Sequence, residues 1–193
     1  VGQAIGMKDE TAAHNFATHN ITLSLIVSAG WALILFSLAP FIIRFYELEQ
    51  HIASNAINYL RIVSTAFPFV FMSAAFTGIF NAGGRSKIPF SINGIGLVIN
   101  MILDPLFIFV FDWKTDGAAL ATWIAQACVF GLFVYHLKFK KILWEDFRFF
   151  GRLKRLYTTK IIKIGLPVAT LNALFAFVNM FLGRTASTVG GHI

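Results

Sequence analysis

Asp104 is an acid set inside a long apolar run, Ile88 to Phe111, and Asn100 lies one helical turn before it. A carboxylate at that depth costs about 2.5–3.5 kcal/mol even on the lenient insertion scale, and intramembrane acids mark ion pathways, proton relays or ligand counter-ions. Pro105 follows immediately. Its ring nitrogen has no hydrogen to give to the carbonyl of Met101, so a polar contact point opens beside the acid. Carboxylate, amide and loosened backbone meet at one level of one helix. Counting at 1.5 Å per residue puts Asp104 roughly 10 Å from the nearer end of its helix. The short turn Asp112–Asp116 makes the next helix an antiparallel neighbour, which brings Thr122, and Gln126 one turn deeper, to the level of Asn100 and Asp104. Oxygen donors of this kind suit a hard cation such as Na⁺, or a protonation site. The competing reading is a protonated Asp104 that bonds Asn100 or a neighbouring carbonyl as interhelical glue. Ser, Thr and Asn supply such glue at lower cost, which favours function.

The elements that position these groups are helices. The chain is 57% hydrophobic and 13% charged, with mean hydropathy +0.72, whereas about a quarter of a soluble domain is charged. Five apolar runs stand out: Ile21–Ile43, Ile62–Phe80, Ile88–Phe111, Gly117–Leu137 and Ile164–Gly183. Each approaches the roughly 20 residues that cross a bilayer as a helix; barrel strands would be half as long and would alternate. The expected fold is therefore an all-α, polytopic membrane bundle. Pro68 interrupts the second run and Pro167 stands near the start of the fifth, where kinks or discontinuous helices are expected. Asn172 and Asn179, two turns apart in the last run, are candidates for lining a cavity or for pairing with a neighbouring helix. Ala74 and Gly78 form a small-xxx-small pair suited to close packing. Most of the 22 Phe residues face lipid or pack, with a minority available for an apolar cavity.

The net charge of +7 reports topology rather than a nucleic-acid partner. Lys138, Lys140, Lys141, Arg148, Arg152, Lys154, Arg155, Lys160 and Lys163 crowd one connection, and Arg85 and Lys87 occupy another. The two remaining connections pair Arg44 with Glu47 and Glu49, and Lys114 with Asp112 and Asp116. The positive-inside rule places residues 1–14, 81–87 and 138–163 in the cytoplasm. The connection 138–163 interleaves cations with Phe, Trp, Leu and Tyr, and is expected to lie in the membrane interface with its apolar face down. His14, His19, His51, His136 and His192 lack metal-ligand spacing and are read as interfacial. Cys128 is alone, so there is no disulfide framework. No signal peptide is recognisable, and the ends read as those of an internal fragment.

Several stretches together resemble the MATE (multidrug and toxic compound extrusion) transporters. They are Gly84-Arg-Ser-Lys-Ile-Pro89, then Gly96-Leu-Val-Ile-Asn100-Met-Ile-Leu-Asp104-Pro105, and Gly117-Ala-Ala-Leu-Ala-Thr122. Tyr59-Leu-Arg61, Val1-Gly-Gln-Ala-Ile-Gly6 and Ile164-Gly-Leu-Pro167 stand at matching distances. The resemblance implies a two-lobe transporter of twelve helices. Residues 1–137 would be the end of helix two through helix six of the amino-terminal lobe, 138–163 the linker, and 164–193 helix seven, with most of the carboxy-terminal lobe missing. It implies a cation or proton site at Asn100, Asp104 and Thr122, completed by an Asp of helix one. The implied activity is export of organic cations, drugs or toxic compounds by a monomeric antiporter in a bacterial or archaeal inner membrane, coupled to H⁺ or Na⁺, with no other cofactor and no catalysis. A lipid-linked oligosaccharide flippase of the same superfamily is the nearest alternative. A membrane-embedded transferase would want a second intramembrane acid or a deep histidine beside Asp104.

Overall fold

The computed structural model describes residues 1–140, 143–144, 147–151 and 153–190, with residues 186–190 described by backbone alone. Lys141, Arg152 and His192 lie outside the described residues. Helices follow in the order α1 (Gly2–Gly6), α2 (Glu10–Arg44), α3 (Gln50–Thr65), α4 (Phe67–Ala82), α5 (Lys87–Pro105), α6 (Lys114–Lys138) and α7 (Arg155–Gly190). A π-helical segment, Leu106–Val110, continues α5. No strand occurs among the described residues. Among the described residues four helices have the length and apolarity to cross a membrane, and the bent pair α3–α4 has them when taken as one span.

The apolar runs locate these helices, and local chemistry sets where they start and stop. The first run extends to a 35-residue α2, because Asp9 caps it: the carboxylate accepts from the Ala12 amide at 2.9 Å and satisfies one of the orphan N–H groups of the first turn. The second run is two helices, α3 and α4, bent by 45°. Pro68 stands in the first turn of α4, where its missing N–H has no intrahelical partner to lose. Pro68 also has no N–H to give the Ser64 carbonyl four residues back, which interrupts the hydrogen-bond ladder where α3 ends. In the third run the α-helix ends at Pro105 and passes into the π-helical segment, whose Phe111 amide reaches back to the Leu106 carbonyl at 3.1 Å. The loosened backbone expected beside Asp104 is thus a change of helical pitch. The last run begins early, since α7 starts at Arg155 and already includes the basic residues Lys160 and Lys163.

The buried core lies towards the end of the bundle that carries the basic connections. Ala17 and Ile21 of α2, Phe76 and Phe80 of α4, Ile92 of α5 and Phe133 and Leu137 of α6 meet there. Phe133 sits 5.7 Å from Phe76 and 5.9 Å from Phe80, ring centre to ring centre. Towards the other end the helices present Ile34, Phe41, Leu97, Phe109 and their neighbours outward, as lipid-facing surfaces do.

Part of the basic connection departs from the interfacial expectation. Trp144, Phe147 and Phe149 pack against the core, while Phe139, Phe150, Leu153 and Leu156 stay exposed. Thr18 donates its hydroxyl to the Arg148 carbonyl at 2.8 Å, and the Lys154 amide donates to His19 Nε2 at 2.9 Å. The pairing corrects two expectations at once. His19 is buried, 4% exposed, and it is a structural acceptor rather than an interfacial residue. His14 also meets the connection, with its ring 5.8 Å from Trp144 and 5.2 Å from Phe147.

Candidate functional site between α5 and α6

Helices α5 and α6 run antiparallel, joined by a turn in which Asp112 and Lys114 take left-handed backbone angles, φ 53° and 47°. Two glycines let them approach. At Gly117 a β-carbon would lie 2.9 Å from the backbone carbonyl of Phe107. At Gly96 it would collide with Cγ2 of Val129, a buried side chain of α6. Small residues at such a seam allow backbones to pack closely where lipid supplies no hydrophobic drive.

Just beside Gly96 the seam opens into a pocket of about 290 Å³ lined by Asn93, Gly96, Leu97 and Asn100 of α5, and Thr122, Ala125, Gln126 and Val129 of α6. The two helices therefore bring Asn100, Thr122 and Gln126 to one space. Asp104 is half-buried and does not line that pocket. It is tied to it through Asn100, whose Nδ2 donates to Asp104 Oδ1 at 3.3 Å. The expected shared level of Asp104 and Thr122 thus resolves into two parts: a carboxylate near the change of pitch at Pro105, and an amide-and-hydroxyl pocket one turn away. Asn100 belongs to both. The donor set is the amides and hydroxyl that line the pocket, with one carboxylate reached through Asn100, chemistry that fits a proton or a hard monovalent cation.

Asn172 and Asn179 are exposed on α7 and are absent from the lining of this pocket. Their helix touches the remaining helices through α2, which leaves its middle unpacked. Asn93 is the polar lining residue that the sequence reading passed over. It lies seven residues before Asn100 on the same helix face, and its Nδ2 reaches Thr77 Oγ1 of α4 at 3.5 Å. The signal was present in the spacing: Asn93, Asn100 and Asp104 recur at helical intervals, so a polar stripe runs along α5. A second cation stands elsewhere. Arg61 of α3 holds its guanidinium 5.4 Å from the Phe36 ring, at a pocket of about 370 Å³ also lined by Thr65, Leu120 and Trp123.

A helical bundle with several crossings, and with its polar groups gathered between two tightly packed helices, defines a multi-pass membrane protein. The family model described as MatE matches residues 1–106, and the chain belongs to that family. Among curated relatives, the probable multidrug resistance protein YoeA of Bacillus subtilis (strain 168) is 27% identical over 206 residues, covering 98% of this chain and 44% of the relative. The probable multidrug resistance protein NorM of Thermotoga maritima is 26% identical over 208 residues, covering 100% of this chain and 43% of the relative. A solved structure of a MATE protein in its bent conformation superposes with a TM-score of 0.85 at 22% identity, covering 97% of this chain and 42% of that one. The chain spans less than half the length of the curated relatives it matches.

Proposed function

We propose that this chain forms part of a cation-coupled multidrug exporter, with the Asn100–Asp104 pair as the seat of coupling and Thr122 and Gln126 as its neighbours across the α5–α6 seam. The observation that carries the reading is the hydrogen bond from Asn100 Nδ2 to Asp104 Oδ1, 3.3 Å, at the mouth of a polar pocket inside an otherwise apolar pair of helices. The names of the relatives, both probable multidrug resistance proteins, support export of small organic molecules. Net acidity at the site favours cationic ones.

The chemistry follows from the inventory of donors and acceptors. An ionised Asp104 only accepts hydrogen bonds, and the Asn100 amide supplies one. A protonated Asp104 carries an O–H that needs an acceptor, and the Met101 carbonyl receives no hydrogen bond from Pro105, which has no N–H. A bound Na⁺ would instead draw the Asn100 carbonyl oxygen and the Thr122 hydroxyl towards the carboxylate. Either event changes the bonds that Asn100 makes to both halves of the site. An ion shifts a conformational equilibrium only through different affinity for the two states, and a bond network that must rearrange is a source of such a difference. In this reading residues 1–137 are the greater part of one lobe, 138–163 connect it to the second lobe, and residues 1–14, 81–87 and 138–163 face the cytoplasm of a bacterial or archaeal cell.

The test is gradient-driven efflux of a fluorescent organic cation such as ethidium by the complete gene product. Asp104→Asn keeps the shape of the side chain and removes its titration. Export is expected to lose its dependence on the H⁺ or Na⁺ gradient while membrane insertion is unchanged. Undiminished, gradient-dependent efflux by that variant would sink the assignment.

A further inference from the structure

Helices α2 and α7 touch near their ends and nowhere along their middles, and the two attachments differ in kind. At the basic end Tyr157 of α7 receives a hydrogen bond from Asn15 Nδ2 at 3.4 Å. Its ring lies 4.8 Å from Phe16 and 4.9 Å from His19. At the acidic end Arg184 Nη2 donates to Glu47 Oε1 at 2.5 Å. The same guanidinium lies 4.6 Å from the centre of the Phe45 ring, and Phe181 meets Phe45 at 5.6 Å, edge to face. Between these clamps residues 162–179 of α7 are exposed, as is most of α2 from residue 26 to residue 38.

Two further features single out the acidic clamp. Glu47 adopts a left-handed backbone, φ 53°, in the turn that joins α2 to α3. That conformation is uncommon for a residue with a β-carbon, and such strain gathers where the surrounding structure fixes a side chain for use. Gly183 stands where a β-carbon would lie 3.3 Å from Tyr46 Cε1, so α7 passes this turn at a distance that only glycine accepts without displacement. A strained carboxylate, a guanidinium stacked on an aromatic ring and a glycine approach coincide at one crossing.

We propose that Glu47 and Arg184 form a gate: their ion pair closes the acidic end of the cleft between α2 and α7, and breaks when the two helices part during transport. The inference rests on the transporter reading and adds to it the residues that control one opening. The pair suits a gate because it is partly open to solvent, with side chains 59% and 38% exposed. An exposed ion pair holds weakly, and water replaces its bonds when it separates. The basic-end clamp is built from ring packing of Tyr157 on Phe16 and the buried His19, with one side-chain hydrogen bond from Asn15, and acts as the pivot. A half-open cavity of about 770 Å³ between α1, α2, α4 and the start of α7 lies at that basic end, lined by Asp9, Asn20, Gly78, Lys160 and Lys163 among others. In this conformation the two helices are tied at both ends, and the room lies beside the basic one.

The experiment uses the complete gene product on a background without other reactive cysteines, with Ala176→Cys as reporter in the exposed middle of α7. Labelling by a membrane-impermeant maleimide applied at the acidic side is timed. Glu47→Arg and Arg184→Glu are each expected to speed labelling about three- to tenfold, the scale of an exposed pair with a cation–π partner. The double variant Glu47→Arg/Arg184→Glu is expected to return to within about twofold of the parent, by restoration of the opposite charges. Unchanged labelling in the single variants, or no recovery in the double, overturns the gate. A second variant pair guards against a folding defect. Glu47→Cys/Arg184→Cys, joined by a bis-maleimide with a reducible spacer, is expected to stop ethidium export and to regain it on reduction; export that ignores the crosslink also overturns the gate. Asp104→Asn separates the two readings. Lost coupling in Asp104→Asn without charge-swap recovery leaves the exporter and removes the gate, whereas charge-swap recovery alongside intact coupling in Asp104→Asn leaves the gate and removes the ion site.

Discussion

Gly96 offers the sharpest test of the α5–α6 seam, because the atom that blocks its substitution is known. A β-carbon at residue 96 would overlap Val129 Cγ2, while the next nearest atoms, Val129 Cβ and the Ala125 carbonyl oxygen, lie at 3.7 and 3.9 Å. Val129 is buried, 4% exposed, and its β-branched side chain has little rotamer freedom on a helix, so it cannot swing aside. Gly96→Ala should therefore push α5 from α6 and cost about 1–3 kcal/mol, the usual range for overpacking. Val129→Ala alone leaves a small void and should cost about 1–2 kcal/mol, near the low end of large-to-small losses. Together the two fit: with the valine methyl groups gone, the new methyl meets Val129 Cβ at the ordinary contact distance of 3.7 Å. The double variant should thus be more stable than Gly96→Ala alone, with a favourable coupling of about 1–3 kcal/mol. The assay is reversible unfolding of the complete gene product in mixed micelles, followed by helical circular dichroism across an SDS titration. Because Gly96 and Val129 both line the pocket of Asn100 and Thr122, gradient-driven export should fall and recover in parallel. Additive losses in the double variant would refute the close approach, and with it the geometry assigned to the site.

Gly117→Ala should cost about as much, 1–3 kcal/mol, but should resist rescue. The atoms it meets are the Phe107 backbone carbon and oxygen at 2.9 Å, and Phe107→Ala leaves those in place; recovery on that background in the same titration would contradict the assignment. His19→Ala removes the acceptor of the Lys154 amide. It should cost about 1–3 kcal/mol for the donor left behind, seen as faster deuterium exchange at Lys154 and faster tryptic cleavage within residues 148–155. Protection unchanged from the parent would show that the connection is held elsewhere.

The fold was legible to the extent that lipid writes it into sequence. A helix that crosses hydrocarbon needs about 20 apolar residues, and Ile88–Phe111 and Gly117–Leu137 correspond closely to the helices that cross there. Legibility failed where a residue's partner is distant in the chain. His19 looks interfacial beside Asn20 and Thr22, and only the return of Lys154, 135 residues later, makes it a buried acceptor. The aromatic residues of the connection carry the pattern of a membrane-surface segment, yet Trp144 and Phe149 find protein instead. Periodicity cannot distinguish the two apolar surroundings. At the site, residue types and spacing located Asn100, Asp104, Thr122 and Gln126, but counting residues gives only depth along a helix. The rotation of each helix about its axis decides what faces the pocket, and that is why Asp104 stands one hydrogen bond away from it while Asn93 lines it.

The contrast between the two seams gives a physical account of how one part of the molecule can move while another stays fixed. Helices α5 and α6 are locked by glycines against backbone and a buried valine, and packed interiors switch between discrete arrangements rather than deform smoothly. Their seam is suited to hold the pocket-lining side chains of Asn100, Thr122 and Gln126 at set distances. Residues 162–179 of α7 are exposed, so parting α2 from α7 at the acidic end disturbs no buried middle. The cost of opening then falls at the clamp itself, where Glu47, Arg184 and the rings of Phe45 and Phe181 meet. A bond change at Asp104 of about 1–3 kcal/mol, the usual size of coupling between sites, is comparable with a clamp of that strength and far below what parting α5 from α6 would require. Under the proposed function, coupling needs the rigid seam to keep its shape and the weak clamp to yield. Tightening the clamp with the reducible crosslink between positions 47 and 184 and loosening the seam with Gly96→Ala should each abolish export, the first reversibly by reduction and the second reversibly by Val129→Ala.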